Sequence, residues 1–171
     1  MSLATRLPSH RLVNLAGAAL AISAMLVAVV GLQWGLGLEP CPLCMIDRVL
    51  VVSLGLLFAA AALHNPGLVG QRVYATLNLV VAGLGIAVCA RHIWLQGLPP
   101  DAVPECAPGL DYMLEVLPIF ETLRIILSTS GECAKIDWTL LGITLPQWTL
   151  LLFVAFAGVA GLQWCRRREN A

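Results

Sequence analysis

The chain has 171 residues, of which 59% are hydrophobic and only 12% are charged. Soluble domains contain roughly 45–50% apolar residues, so this composition indicates a membrane protein. The formal net charge is zero, and no basic patch with interleaved aromatic residues is present. Nucleic acid is therefore not expected as a partner.

The first apolar run extends from Leu12 to Trp34 and contains no charged residue. Arg6 and Arg11 precede it, as basic residues precede the apolar part of a signal peptide. That part of a signal peptide is only about 7–15 residues long, whereas a bilayer span needs about 20. We therefore predict a retained transmembrane helix, followed by a short loop over residues 35–44.

Three further apolar segments have the length of a membrane span, at about residues 45–63, 73–94 and 146–164. The last begins with a capping pattern, in which Thr144 caps the helix, Pro146 suits its first turn and Gln147 completes a capping box. We predict an all-α membrane protein, a single integral domain built as a four-transmembrane-helix bundle. Its long periplasmic loop lies between helices 3 and 4, over residues 95–145.

Part of this long loop has an amphipathic pattern. Apolar and charged residues alternate from Leu110 to Leu127, with an interruption at Pro118. The pattern predicts short helices that lie on the membrane surface. A small globular lid over the bundle is the alternative.

Charge distribution predicts the orientation of the bundle. Short cytoplasmic loops carry an excess of Lys and Arg, and the basic run 166–168 directly follows the last span. Both termini are therefore expected in the cytoplasm, and the opposite side is an oxidising periplasm if the cell is bacterial. Trp34, Trp94 and Trp148 would then form an aromatic belt at the periplasmic interface, and the side that carries the loop cysteines would face the oxidising periplasm.

A Cys-Pro-Leu-Cys motif follows the first span, at residues 41–44. If a helix starts near Pro42, then Cys41, Cys44 and Arg48 share one face of it. The N–H groups of a helix N-terminus and a nearby cation both favour thiolate over thiol. This pattern indicates a redox-active pair.

Four of the cysteines lie on the predicted periplasmic side, where Cys41–Cys44 and Cys106–Cys133 would be natural disulfide pairs. A zinc site of four cysteines is one alternative, but such sites use a second closely spaced pair, which is missing here. Purely structural disulfides are another. Against them, a bridge between Cys41 and Cys44 closes so small a loop that it adds little stability.

Two polar residues near these cysteines are candidates for binding a small molecule. Arg48 lies near a helix N-terminus, which repels a cation, and on the side expected to be poor in arginine. It could stabilise a thiolate at Cys44 and bind an acceptor that bears carbonyl groups. His92 could make a second contact or be an ordinary interfacial histidine. Cys89 is expected to be a small buried hydrophobe and Cys165 a free thiol.

Taken together, these motifs resemble the bacterial disulfide bond formation protein B (DsbB) family. The resemblance depends on two cysteine blocks and on the Pro-Gln-Trp entry to the last span. Its elements are Cys41-Pro42-Leu43-Cys44 with Arg48, Cys106, Ser130-Gly131-Glu132-Cys133-Ala134, Trp138, Leu141-Gly142 and Pro146-Gln147-Trp148.

The resemblance implies a thiol:quinone oxidoreductase that reoxidises a periplasmic thioredoxin-fold oxidase, DsbA, and passes the electrons to a membrane quinone, ubiquinone or menaquinone. It implies that Cys106 forms a mixed disulfide with the partner and that Cys133 is its intramolecular mate. Cys41 and Cys44 would then accept the electrons, with the Cys44 thiolate facing the quinone and Arg48 near its ring.

Two other classes of protein remain as alternatives. A vitamin K epoxide reductase-like protein is also a small helical bundle with a Cys-x-x-Cys pair, but there the motif is expected late in the chain. A non-catalytic membrane scaffold or accessory subunit would use the same four cysteines as inert bridges.

Overall fold

A computed structural model describes residues 9–105, 110–129 and 131–166 of the chain. Among these residues, four helices are long and apolar enough to cross a membrane. They are α1 (His10–Gly35), α2 (Pro42–His64), α3 (Leu68–Gln96) and α6 (Leu145–Cys165). The prediction of an all-α protein with four transmembrane helices is confirmed.

The predicted helix start near Pro42 is confirmed, since helix α2 begins at Pro42 and Cys44 lies in its first turn. The reason is local. Pro42 has no N–H to satisfy in a first turn, and the Cys41 side chain caps the helix. The membrane span within this helix, from about residue 45, stays a prediction.

The helices pack in the order α1, α2, α3, α6, so that consecutive spans are neighbours. Their core is made of aromatic rings set against small residues. The rings of Phe58 and Phe156 lie 5.7 Å apart between centroids, and Gly17 and Gly85 give the rings of Phe58 and Phe153 room to approach the facing helices. Most other apolar side chains of the spans point outwards, as expected for helices that face lipid.

The last nine residues of α1, Val27–Gly35, form a π-helix. A π-helix bonds each N–H to the carbonyl five residues back, and such segments are common at functional sites. The π-helical segment of α1 faces the first turns of α2, which carry Arg48.

The connection between α3 and α6 contains two short helices, α4 (Leu110–Val116) and α5 (Ile119–Thr129), which are separated at Pro118. The side chains of Met113 and Ile126 are buried in a cluster with Leu43 at the start of α2 and Leu95 at the end of α3. Large apolar side chains of the two helices, among them Val116, Ile119 and Phe120, are exposed together with the charged Glu115, Glu121 and Arg124. The packing against the bundle is that of a lid, and contact of the two helices with the membrane surface stays a prediction.

A two-stranded hairpin precedes α6, with β1 (Thr139–Leu140) paired to β2 (Ile143–Thr144). Leu141 and Gly142 both have positive φ, at 56° and 77°, as a tight two-residue hairpin turn requires. Trp148 Nε1 donates to the Leu140 carbonyl at 3.4 Å and so fixes the hairpin on α6. At the helix start, Gln147 Oε1 accepts the Thr144 N–H at 2.8 Å, which is the glutamine half of the predicted capping box.

Far from the cysteines, three buried amide side chains form a closed ring between α1, α3 and α6. Asn14 donates to Gln71, Gln71 donates to Gln163, and Gln163 donates back to Asn14. An amide side chain without a hydrogen-bond partner costs free energy when it is buried away from water. Since each amide here both donates and accepts one hydrogen bond, the three bonds favour one register of the three helices.

The close approach of α3 and α6 at Gly85 gives a test of the packing. We expect Gly85→Ala to destabilise the folded protein by about 1–3 kcal/mol, because the new methyl group overlaps the buried Phe153 ring. Gly83→Ala, on the same helix with open space around it, is the matched control and should be neutral or stabilising by up to about 1 kcal/mol. Thermal unfolding in detergent measures both, and equal effects would contradict this packing.

Candidate thiol redox site

The N-terminus of α2 brings two thiols together. Cys41 is the capping residue, and its Sγ accepts the Cys44 N–H at 3.4 Å. The two sulfur atoms lie 3.2 Å apart, and both residues are free thiols. The N–H groups of a first helical turn have no partner inside the helix, so this position favours negative charge on sulfur.

A third thiol, Cys133, reaches the same point from the connection between α3 and α6. It lies in a short 3₁₀ turn, Gly131–Ala134, and its side chain is buried. Its Sγ is within 4.8 Å of the Cys41 Sγ. The sequence predicted both residues as redox cysteines but not that Cys133 lies beside Cys41.

Gly131 explains how this turn is held. Its N–H donates to the Glu105 carbonyl at 3.3 Å, and a side chain at this position would collide with the Pro104 backbone. The segment that leads into position 106 is therefore bonded to the turn that carries Cys133. Cys106 itself lies outside the described residues.

His92 comes to the site from α3. Its ring is buried, and its Nε2 lies 3.9 Å from the Cys41 Sγ. Its Nδ1 has no hydrogen-bond partner among the described residues. The position is thus not that of an interfacial histidine directed to water, but of a polar group directed at the sulfur cluster.

Within this cluster the negative charge is favoured on Cys41. Hydrogen bonds from the Cys133 and Cys44 thiols, with a smaller contribution from His92, lower the pKa of Cys41. The same contact with Cys41, together with burial, raises the pKa of the Cys133 thiol. These contacts favour a thiolate at Cys41 when all three thiols are reduced, and the role of Cys44 as the thiolate that faces the acceptor stays a prediction.

Arg48 lies two turns into α2 and is held by α1. Its guanidinium donates to Gln33 Oε1 at 2.6 Å and to the Ala28 carbonyl at 3.3 Å. Both acceptors belong to the π-helical part of α1. Sequence reasoning missed Gln33, whose only signal was an amide in an otherwise apolar span.

A buried carboxyl group lies below the thiols. Asp47 is only 5% exposed, and Cys89 of α3 donates to its Oδ2 at 3.6 Å. Cys89 is buried in the apolar core, as predicted, and this hydrogen bond is a further contact that the sequence did not indicate. Asp47 could have been predicted as a site residue, because an acidic residue inside an apolar span is by default a candidate for a functional site. Cys165 is an exposed free thiol, as predicted.

A cavity of about 440 Å³ opens beside these residues, between α1, α2 and α6. This volume is within the range of small-molecule sites, roughly 300–1,000 Å³. The walls are mainly apolar and also include charged residues, among them Arg48, Glu132 and Lys135. Its lining includes Leu20, Ala24, Ala28, Leu145, Trp148 and Leu152, together with Cys41, Cys44, Arg48, His92 and Cys133.

Four spans and a cluster of three thiols at one end of the bundle define a multi-pass membrane protein with a dithiol site. Comparison with known proteins names the family. The family model described as "Disulfide bond formation protein DsbB" matches residues 10–163, and the chain belongs to this family.

Relatives named "Disulfide bond formation protein B" are similar over most of their length. The protein from Methylococcus capsulatus is 46% identical over 92% of this chain and 96% of the relative. The protein from Hahella chejuensis is 49% identical over 86% and 90%. The protein from Chromohalobacter salexigens is 54% identical over 71% and 72%.

The Asp47–Cys89 hydrogen bond generates a prediction about stability. Cys89→Ala removes the donor and leaves the buried carboxyl group without it, which should cost about 1–3 kcal/mol. Cys89→Ser keeps a hydrogen-bond donor and should lower the free energy of unfolding by less than Cys89→Ala does. The control Cys165→Ala, at an exposed position, should change it by less than about 0.5 kcal/mol. Unfolding in detergent compares the three variants. An alanine variant as stable as the serine variant would show that the hydrogen bond does not contribute.

Proposed function

We propose that this protein is a membrane thiol:quinone oxidoreductase. It reoxidises a periplasmic DsbA-like dithiol oxidase and passes the two electrons to a quinone. The observation that carries the proposal is the contact of Cys133 with Cys41, within 4.8 Å, while Cys41 also touches Cys44. Two dithiol pairs that meet at one sulfur can exchange electrons by disulfide exchange.

The first exchange oxidises the soluble partner. A thiolate of its dithiol attacks Cys106 in the Cys106–Cys133 disulfide, and Cys133 leaves as a thiolate. The second thiol of the partner then attacks the mixed disulfide. The partner leaves with a disulfide bond, and Cys106 and Cys133 hold the two electrons as thiols.

The second exchange moves the electrons into the membrane end of the bundle. The Cys133 thiolate attacks Cys41 in the Cys41–Cys44 disulfide, which forms a Cys41–Cys133 bond and releases Cys44 as a thiolate. Cys106 then attacks Cys133 and displaces Cys41. The disulfide of the loop is restored, and the electrons lie on Cys41 and Cys44.

The residues beside Cys44 fit a quinone. The apolar cavity suits a flat ring and its lipid tail, and the Arg48 guanidinium offers donors to a ring carbonyl. His92 offers a second polar contact. A bound quinone supplies the acceptor chemistry, since it takes two electrons and two protons and leaves as a quinol into the bilayer. The role of the protein is to hold Cys44, Arg48 and His92 around that acceptor.

The orientation that this function requires has both termini in the cytoplasm and the cysteine site at the periplasmic face of the bacterial inner membrane. Trp34, Trp94 and Trp148, at the cysteine end of their helices, are all at least partly exposed, as an interfacial belt requires. A scaffold with inert bridges would not need Cys133, from the connection between α3 and α6, to meet Cys41 and Cys44 at the start of α2, so we favour the enzyme.

The relay predicts a distinct pattern of losses. Anaerobic protein with a reduced thioredoxin-fold partner and a quinone analogue should reduce the quinone, followed by its ultraviolet absorbance. Cys133→Ala and the double variant Cys41→Ala/Cys44→Ala should each abolish this reaction, and Cys165→Ala should retain it. Quinone reduction that persists without Cys41 and Cys44 would contradict the relay.

Arg48 tests the proposed quinone contact. Arg48→Ala should raise the apparent KM for quinone by roughly tenfold or more, because a hydrogen bond to a charged group contributes about 1.5–3 kcal/mol. Arg72→Ala is the matched control, since this arginine lies over the Trp164 ring near the other end of the bundle. Steady-state kinetics with varied quinone measures both variants, and an unchanged KM in Arg48→Ala would remove this residue from the quinone site.

A further inference from the structure

We propose that the fully reduced site is also a zinc site, formed by Cys41, His92, Cys133 and Cys44. Thiolates and imidazole are the ligands that Zn²⁺ prefers in proteins, and a Cys₃His set is a common one. This set differs from the four-cysteine site considered from the sequence in that it includes His92 of α3 and leaves out Cys106, which lies outside the described residues. The inference needs only the thiols, so it does not depend on the proposed relay.

The distances are close to those of a bound metal. The Cys41 Sγ, His92 ring nitrogen and Cys133 Sγ all lie within 4.8 Å of one another. Tetrahedral zinc, with Zn–S of about 2.3 Å and Zn–N of about 2.0–2.1 Å, places neighbouring ligand atoms roughly 3.4–3.8 Å apart. The Cys41–His92 distance of 3.9 Å and the Cys41–Cys44 distance of 3.2 Å lie on either side of that range. Three of the four ligand atoms are thus grouped already, and Cys44 is brought to the group by its contact with Cys41.

The surroundings favour a metal complex with excess negative charge. The N-terminal turn of α2 directs the Cys44 N–H at the Cys41 sulfur, and a helix N-terminus stabilises thiolates. His92 is buried with no partner on Nδ1 among the described residues, so its orientation is set by the sulfur cluster that its Nε2 faces. The adjoining cavity reaches Cys41, Cys44, His92 and Cys133 and gives an ion a path to them.

Binding would be controlled by the redox state. Zn²⁺ binds the three sulfurs as thiolates, releases the protons that they still carry and coordinates the neutral imidazole, with no change in the oxidation state of metal or protein. Forming either the Cys41–Cys44 or the Cys41–Cys133 disulfide removes ligands and releases the ion. Zinc would therefore hold the protein in its reduced form and block disulfide exchange at Cys41 until an oxidant competes for the thiolates.

Cobalt substitution tests the site without any activity assay. The full chain in detergent, reduced with a phosphine under anaerobic conditions, is titrated with Co²⁺. We expect one equivalent to bind with thiolate-to-cobalt charge-transfer absorption and the visible bands of a tetrahedral complex, and Zn²⁺ to displace it. Protein with its disulfides formed should show no such bands. Absence of thiolate bands in the reduced protein would overturn the proposal.

Variants then identify the ligands. His92→Ala and Cys133→Ala should each weaken cobalt binding by more than roughly tenfold, because even residues behind the ligands typically matter by about 10–100-fold. The control Cys165→Ala should bind unchanged, and circular dichroism reports whether each variant is folded. X-ray absorption of the zinc-loaded wild-type chain, which needs no variant, should show three sulfur ligands and one nitrogen. Two results would overturn the proposal: an unchanged affinity for cobalt in His92→Ala or Cys133→Ala, or an X-ray absorption spectrum with only two sulfur ligands. Either would mean that the metal is chelated by Cys41 and Cys44 alone.

Discussion

The first turn of α2 has backbone N–H groups with no partner inside the helix, and the Cys41 sulfur accepts one of them. The rest of the site depends on this cap. It places Cys41 at the end of the helix rather than within it, so the sulfur can be reached from several sides. Cys44 approaches it from the same helix, His92 from α3 and Cys133 from the connection above.

Holding three thiols at one point requires the connection between α3 and α6 to be folded against the bundle. The burial of Met113 and Ile126 on the ends of α2 and α3 supplies the apolar contact. Gly131 supplies the close backbone contact that bonds residues 104–105 to the turn of Cys133. A lid of two short helices can open more easily than a transmembrane helix can move, which suits the proposed exchange with a soluble partner.

The spans could be predicted from the sequence because a bilayer dictates both their length and their apolar character. The start of α2 near Pro42 could also be predicted, because Pro42 has no N–H to satisfy in a first helical turn. The meeting of Cys133 with Cys41 could not be predicted, since it depends on the tertiary packing of a long connection. The Asp47–Cys89 and Arg48–Gln33 hydrogen bonds could not be predicted for a similar reason. Each joins two helices, and hydrophobic periodicity does not determine how those helices are rotated relative to each other.

The central claim is that Cys133 exchanges disulfides with Cys41. The most direct test is to trap that bond in the variant Cys44→Ala/Cys106→Ala, which leaves both sulfurs without their usual mates, and to identify the linked peptides by mass spectrometry after mild oxidation. We expect a Cys41–Cys133 disulfide in most molecules, with Cys89 and Cys165 remaining free thiols. Cys133 left as a free thiol, or linked to another cysteine, would contradict the account.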